Sequence, residues 1–140
     1  EVGASAGLGL LVDRYSHVYI DADGCPHRVD PADGCSPLEL ECRLGPGVPV
    51  PTAMPDIVWR LGLERKPVRL DDPEDERWLR TLIWPEERER AAQLDRAIAV
   101  AREHPVRIVA GDAVDGLASA CAQAPVGATL VVASPAVLVY

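Results

Sequence analysis

Leu8, Leu11, Val12 and Tyr15 recur at i, i+3, i+4 and i+7, a stripe that predicts a helix with one apolar face laid on a sheet. Directly before it, Glu1-Val2-Gly3-Ala4-Ser5-Ala6-Gly7 reads as a strand end followed by a glycine turn. Tyr15 to Ile20, rich in aromatic and β-branched side chains, predicts a short strand. From Asp21 to Pro37 the pattern dissolves into Asp, Gly and Pro, the chemistry of a surface loop. Leu38, Leu40, Cys42 and Leu44 then alternate with Glu39, Glu41 and Arg43. That alternation predicts a half-buried strand with Cys42 on its apolar face, suited to an edge or a one-sided sheet. Gly45 to Pro55 is a second connector, so residues 21–56 read as an inserted loop or hairpin beside the main sheet.

The core resumes at Ile57-Val58-Trp59, with Leu61 and Leu63 completing a mostly apolar strand that ends at Glu64. Asp71-Asp72-Pro73-Glu74-Asp75 predicts a helix start, with Asp72 as N-cap and Pro73 in the first helical position. Trp78, Leu79, Leu82 and Ile83 supply its buried stripe, and Trp84-Pro85 ends it. Glu86 to His104 is a second helix, turning Ala91, Leu94, Ile98 and Ala101 inward and its Glu and Arg side chains outward. Val106 to Ala110 predicts a short buried strand. Gly111-Asp112-Ala113 opens a helix running to about Ala122, with Leu117 and Cys121 on one side, and Ala128 to Ala133 is the last buried strand. Strands alternating with helices over residues 57–140 give a β-α-β-α-β core. The fold class expected is a Rossmann-like three-layer α/β/α domain with a mostly parallel sheet. The chain opens without Met, at what reads as the end of a central strand, so residues 1–140 are expected to be a single α/β domain that is a fragment of a larger one.

Composition narrows the partners. Fourteen basic against 22 acidic residues give a net charge of −8. Neutralising phosphates needs clustered Lys and Arg, so nucleic acid is not expected and a small molecule or a protein is the favoured substrate. No apolar run reaches the roughly 18 residues of a membrane helix, and no leader pattern stands at the start. We expect a cytoplasmic protein without membrane attachment, and a homodimer if sheet edges stay open. Cys25, Cys35, Cys42 and Cys121 form no close pair, and unpaired buried thiols are the expectation. With Cys42 committed to a strand, Cys25, His27 and Cys35 are too few for a zinc site, and no metal is expected.

A tight glycine turn feeding a helix start offers unpaired backbone N–H groups to a phosphate, carboxylate or oxyanion. Two chemistries share the spelling here. Glu1-x-Gly3-x-x-x-Gly7 has the form of the first motif of class I S-adenosylmethionine methyltransferases. Gly3-x-Ser5-x-Gly7 has the form of the nucleophile elbow of α/β-hydrolases. In open α/β sheets ligands collect at the carboxyl ends of the strands, and Glu1, Gly3, Glu64, Asp112 and Ser134 all fall at such ends. The competing readings are mundane: Glu64 as an exposed acid paired with Arg65, and Asp112 as an N-cap.

With those residues in view, the chain resembles the bacterial domain of unknown function family 2332. The resemblance rests on Glu1 to Leu8, Leu11 and Asp13-Arg14-Tyr15. It continues through Arg60 to Glu64, Pro67, Asp72 to Asp75, Arg77-Trp78-Leu79, Trp84-Pro85-Glu86 and Gly111-Asp112-Ala113, and so spans nearly the whole chain. Gly9 and Glu64 stand where the family pattern has Asn and Asp.

The looser likeness to class I methyltransferases implies a cofactor, S-adenosylmethionine. It makes Glu1, Gly3, Ser5 and Gly7 the methionine-side contacts, Glu64 the ribose ligand and Asp112 the adenine ligand. The chain departs from that group by its insertion at 21–56 and by Ser134-Pro135-Ala136 where an Asn/Asp-Pro-Pro-aromatic motif would stand. The hydrolase reading makes Ser5 the nucleophile and needs a histidine after the last strand. His17, His27 and His104 all precede it, and His104 lies at the opposite end of the sheet. The third reading is a non-catalytic interaction domain of the same fold.

Overall fold

The structure is a computed structural model that describes residues 1–135, so Ala136 of the tripeptide noted above lies outside the described residues. Two compact units are distinguished, Leu11–Ile57 and the remainder, Glu1–Leu10 with Val58 onward. The class is mixed α/β, with two small sheets that contain parallel pairs.

The predicted first helix is a 3-10 helix, Leu8–Arg14, with Leu11 outside helical geometry at φ −103 and ψ 22. Gly9, Val12 and the break at Leu11 weaken an α-helix here, and a short 3-10 run is the tighter alternative. Leu11 and Tyr15 are buried, while Val12 is exposed.

In the Leu11–Ile57 unit, β1 (Ser16–Ile20) is the centre of a three-stranded sheet. It pairs antiparallel with β2 (Pro26–Val29) and parallel with β3 (Glu39–Arg43). The expected loop at 21–37 therefore contains a strand. Asp21 turns the hairpin: its Oδ1 accepts the N–H groups of Asp23 and Cys25 at 3.0 and 2.8 Å, and its Oδ2 meets Nε2 of His27 at 2.7 Å. Such Asx chemistry makes an Asp/Gly segment a turn between strands as readily as a loop. Ser16, fully buried, donates its hydroxyl to Asp30 at 2.5 Å and accepts the Ser36 N–H at 2.9 Å. Cys42 is exposed, against the expectation, because β3 is an edge strand on which Leu40 alone is half-buried.

In the other unit, β4 (Gly62–Glu64) pairs parallel with β5 (Ile108–Ala110). Val2 bridges Leu63 in parallel, and the Val2 N–H donates to the Ala133 carbonyl at 2.8 Å. The lateral order is thus Ala133, Val2, Leu63, Val109. The strand expected over residues 57–63 is confined to its last residues, since Gly62 to Glu64 pair with Ile108 to Ala110, and Leu63 with Val2 as well, whereas Val58 is exposed. The run 128–133 is neither a strand nor buried: Leu130, Val131 and Val132 are exposed. A β-branched run signals fit to a half-buried sheet, and this one meets its neighbour only at its end.

Helix α1 (Pro73–Thr81) starts as expected, with the Asp72 side chain accepting the Glu74 N–H at 2.9 Å. Its expected apolar stripe is only partly covered: Leu79 and Ile83 are half-buried. Trp78 and Leu82 are 52% and 58% exposed, and Trp84 is exposed beside them. Glu76 binds Arg102 of α2 (Arg88–Glu103) at 2.6 Å, and Arg80 binds Asp95 of the same helix. Helix α2 buries Ala97, Ile98, Val100 and Ala101, with Leu94 half-buried and Ala91 exposed, so only its second half enters the core. Helix α3 (Ala113–Cys121) is capped by Asp112, whose Oδ1 accepts the Val114 N–H at 2.8 Å.

Candidate functional site

The turn after Val2 is built from three residues in the left-handed region, Gly3 at φ 73, Ser5 at φ 51 and Gly7 at φ 75. Glycine adopts such angles freely, and Ser5 does so only under constraint. At Gly7 a side chain is excluded twice over, because a Cβ would stand 2.5 Å from Cγ2 of Val106. The turn closes through the Gly7 N–H to the Ala4 carbonyl at 2.6 Å and the Gly3 N–H to the Leu63 carbonyl at 2.8 Å.

Ser5 is held from the β4 side. Its N–H donates to Oε2 of Glu64 at 2.9 Å, and its carbonyl accepts the Val68 N–H at 3.2 Å. The other carboxylate oxygen, Oε1, accepts the Lys66 N–H at 3.1 Å. Glu64 therefore does not pair with Arg65. Arg65 reaches Asp112 instead, Nε to Oδ2 at 3.7 Å, in an exposed contact that contributes little.

Glu1 lies on the same turn from behind. A Cβ at Gly9 would meet its two carboxylate oxygens at 2.6 and 2.8 Å, so the bare backbone of Gly9 makes the space that the carboxylate fills. Oε2 of Glu1 is buried and has no hydrogen-bond partner among the described residues. Burial pushes the Glu1 carboxyl above its ordinary range. The Ser134 hydroxyl is likewise buried without a partner among the described residues.

The structure thus brings Glu1, Gly3, Ser5, Gly7 and Glu64 into one contiguous feature. Among the described residues Asp112 touches none of these side chains; it reaches only Arg65, and its Oδ1 serves as the N-cap of α3. The sequence reading missed two parts. Gly9 is legible in the sequence only as a departure from the family pattern, and its close approach to the Glu1 carboxylate is not. The Glu64 contact with Ser5 joins residues 59 positions apart, and no local spacing announces it.

His104 ends α2 and precedes β5, at the amino end of that strand. His17 is buried, with Nε2 against the Val12 carbonyl at 2.8 Å. Cys25, Cys35 and Cys42 are exposed and Cys121 half-buried, so the expectation of buried thiols is overturned by the surface position of β2, β3 and their connections. Among the described residues no group of three His, Cys, Asp or Glu side chains is placed to hold a metal, and no helix is long and apolar enough to cross a membrane.

The family model described as an uncharacterized protein conserved in bacteria, DUF2332, matches residues 1–140, the whole chain. No curated protein and no solved structure matches it.

Proposed function

The chain belongs to the bacterial DUF2332 family, and on that premise we propose that its glycine turn binds a nucleotide cofactor of the S-adenosylmethionine class, in a Rossmann-like layered domain, for methyl transfer to a small molecule or a protein. The observation that carries this reading is the row of groups along adjacent parallel strands. Glu1 and the Gly3–Gly7 turn stand on one, Glu64 on the next and Asp112 beyond β5. The lateral order Ala133, Val2, Leu63, Val109, with the chain's first segment inside and its later strands outward on one side, is the order in which nucleotide-binding folds open a crevice.

In this reading Glu1, Gly3, Ser5 and Gly7 face the methionine part, Glu64 the ribose and Asp112 the adenine. Each carboxylate oxygen has a second lone pair, so Glu64 can accept ribose hydroxyls while it holds the Ser5 and Lys66 amides. The half-buried Glu1 carboxylate, with one oxygen unpartnered, suits the cationic amino group of the ligand. Methyl transfer asks chiefly for alignment of acceptor and sulfonium, which a rigid turn supplies.

The test is calorimetric titration of S-adenosylmethionine and S-adenosylhomocysteine into the protein and its Glu64→Ala variant. Binding that weakens at least about tenfold in the variant, the loss of a charge-assisted contact, supports the reading. No heat and no thermal shift with either ligand overturns it and leaves the non-catalytic interaction domain. The positive φ of Ser5 within Gly3-x-Ser5-x-Gly7 favours the hydrolase as second reading, tested by fluorophosphonate labelling of Ser5.

A further inference from the structure

We infer that Glu64 is a positioning residue that couples the two ends of the cofactor site: a ligand group fixed at its carboxylate tightens the Ser5 turn, which that group does not touch. The inference rests on the nucleotide reading above and adds to it a direction of communication within the site.

The argument starts from what Ser5 lacks. A serine at φ 51 has no intrinsic preference to stay there, so the conformation persists only while its surroundings impose it. The contacts that impose it come from the last residue of β4 and the segment that follows. The Glu64 carboxylate takes the Ser5 N–H at 2.9 Å, and the Val68 N–H takes the Ser5 carbonyl at 3.2 Å. Glu64 is itself steadied through Lys66, whose N–H reaches its second oxygen at 3.1 Å. One side chain therefore links the strand end, where a ribose would sit, to the backbone of the turn, where the polar head of the ligand would sit.

A glutamate side chain has rotamer freedom to lose. A ribose hydroxyl that donates to Glu64 confines the carboxylate and excludes water from it, and the Ser5 N–H then opens less often. By linkage, a turn already closed presents a carboxylate already oriented, so each end strengthens the other. Glu64→Gln breaks the relay at constant size. Its side-chain carbonyl can still accept one of the two amides, but its NH2 group faces the other as a second donor.

The experiment uses adenosine, which carries the ribose and base but no group for the glycine turn. Amide hydrogen exchange at Ser5 and Val68 is followed by NMR with and without saturating adenosine, in the wild type and in Glu64→Gln. The expected result is exchange slowed at both amides by about fivefold or more in the wild type and unchanged in the variant. Adenosine that binds while the Ser5 and Val68 amides exchange as before overturns the inference and leaves the cofactor reading intact. Adenosine and S-adenosylhomocysteine that both fail to bind overturn the two together. Should Glu64→Gln not fold, the wild-type comparison decides alone by the same criterion.

Discussion

The backbone N–H of Ser5 donates to Oε2 of Glu64 at 2.9 Å, and this contact locks the one non-glycine residue with positive φ among the described residues to the end of a neighbouring strand. A charge-assisted bond to an amide contributes on the order of 1.5–3 kcal/mol when shielded from water, and less at a half-exposed site. We expect Glu64→Ala to lower the unfolding free energy by about 1–2 kcal/mol in denaturant titration. Ser5→Gly, which removes the strain but adds backbone freedom to the unfolded chain, should change it by less than about 1 kcal/mol. A Glu64→Ala variant as stable as the wild type would show that the bond does not hold the turn.

Gly9 and Glu1 compete for one volume. A methyl at position 9 would stand 2.6 Å from a Glu1 carboxylate oxygen, so Gly9→Ala must push that side chain off its place. The expected loss is about 1–2 kcal/mol, the range for a forced shift in a packed site. In a Glu1→Ala background the same substitution should be nearly neutral, and a double-mutant cycle reads the difference as coupling. Equal losses in both backgrounds would mean that the crowding lies elsewhere.

Two acids should bend the stability curve in opposite directions. The Glu76 carboxyl is held below its ordinary value of 4.5 by the Arg80 hydrogen bond and by Arg102. Its contribution is present above pH 4.5 and lost as pH falls through the lower folded value. Glu1 is raised above 4.5 by burial, so the unfolded chain ionises first and stability declines as pH rises from 4.5 toward the folded value. Melting temperatures from about pH 3 to pH 7 should therefore lose part of their acid-side fall in Glu76→Gln and part of their rise-side fall in Glu1→Gln. Parallel curves for all three proteins would contradict both assignments.

The outward face of α1 is open to a simple mutational check. Trp78, 52% exposed, should tolerate replacement by Gln at less than about 1 kcal/mol, whereas a tryptophan packed in a core loses 3–5 kcal/mol on truncation, roughly. A loss in the core range, by chemical denaturation, would show that the stripe is covered after all.

What could be read from the chain alone was local. Asp72-Pro73 and Asp112 announced helix starts because a cap is a contact between residues two apart, and both side chains make that bond. The glycine turn was legible for the same reason, since Gly3 and Gly7 stand where the backbone must take positive φ. Tyr15 to Ile20 was a strand by composition, and the structure has Ser16–Ile20. The family likeness, spread over the chain's short motifs, agrees with the match across residues 1–140.

The remainder depended on partners distant in sequence. Residues 128–133 and 57–61 have the composition of strands, but strand formation needs a neighbour along the whole edge, and these runs meet one only at their ends, Ala133 at Val2 and Leu61 at Glu1. The periodicity of α1 marked an apolar stripe and a charged stripe without saying which would be covered. In the structure Leu79 and Ile83 are half-buried, Trp78 and Leu82 stay exposed, and Glu76 and Arg80 make their ion pairs to α2 at the surface. The same holds for the site. Sequence placed Glu1 and Glu64 at strand ends and Ser5 in the glycine turn. Only the parallel pairing of Val2 with Leu63 set Glu64 against Ser5, because a hydrogen bond across 59 residues is fixed by register between strands.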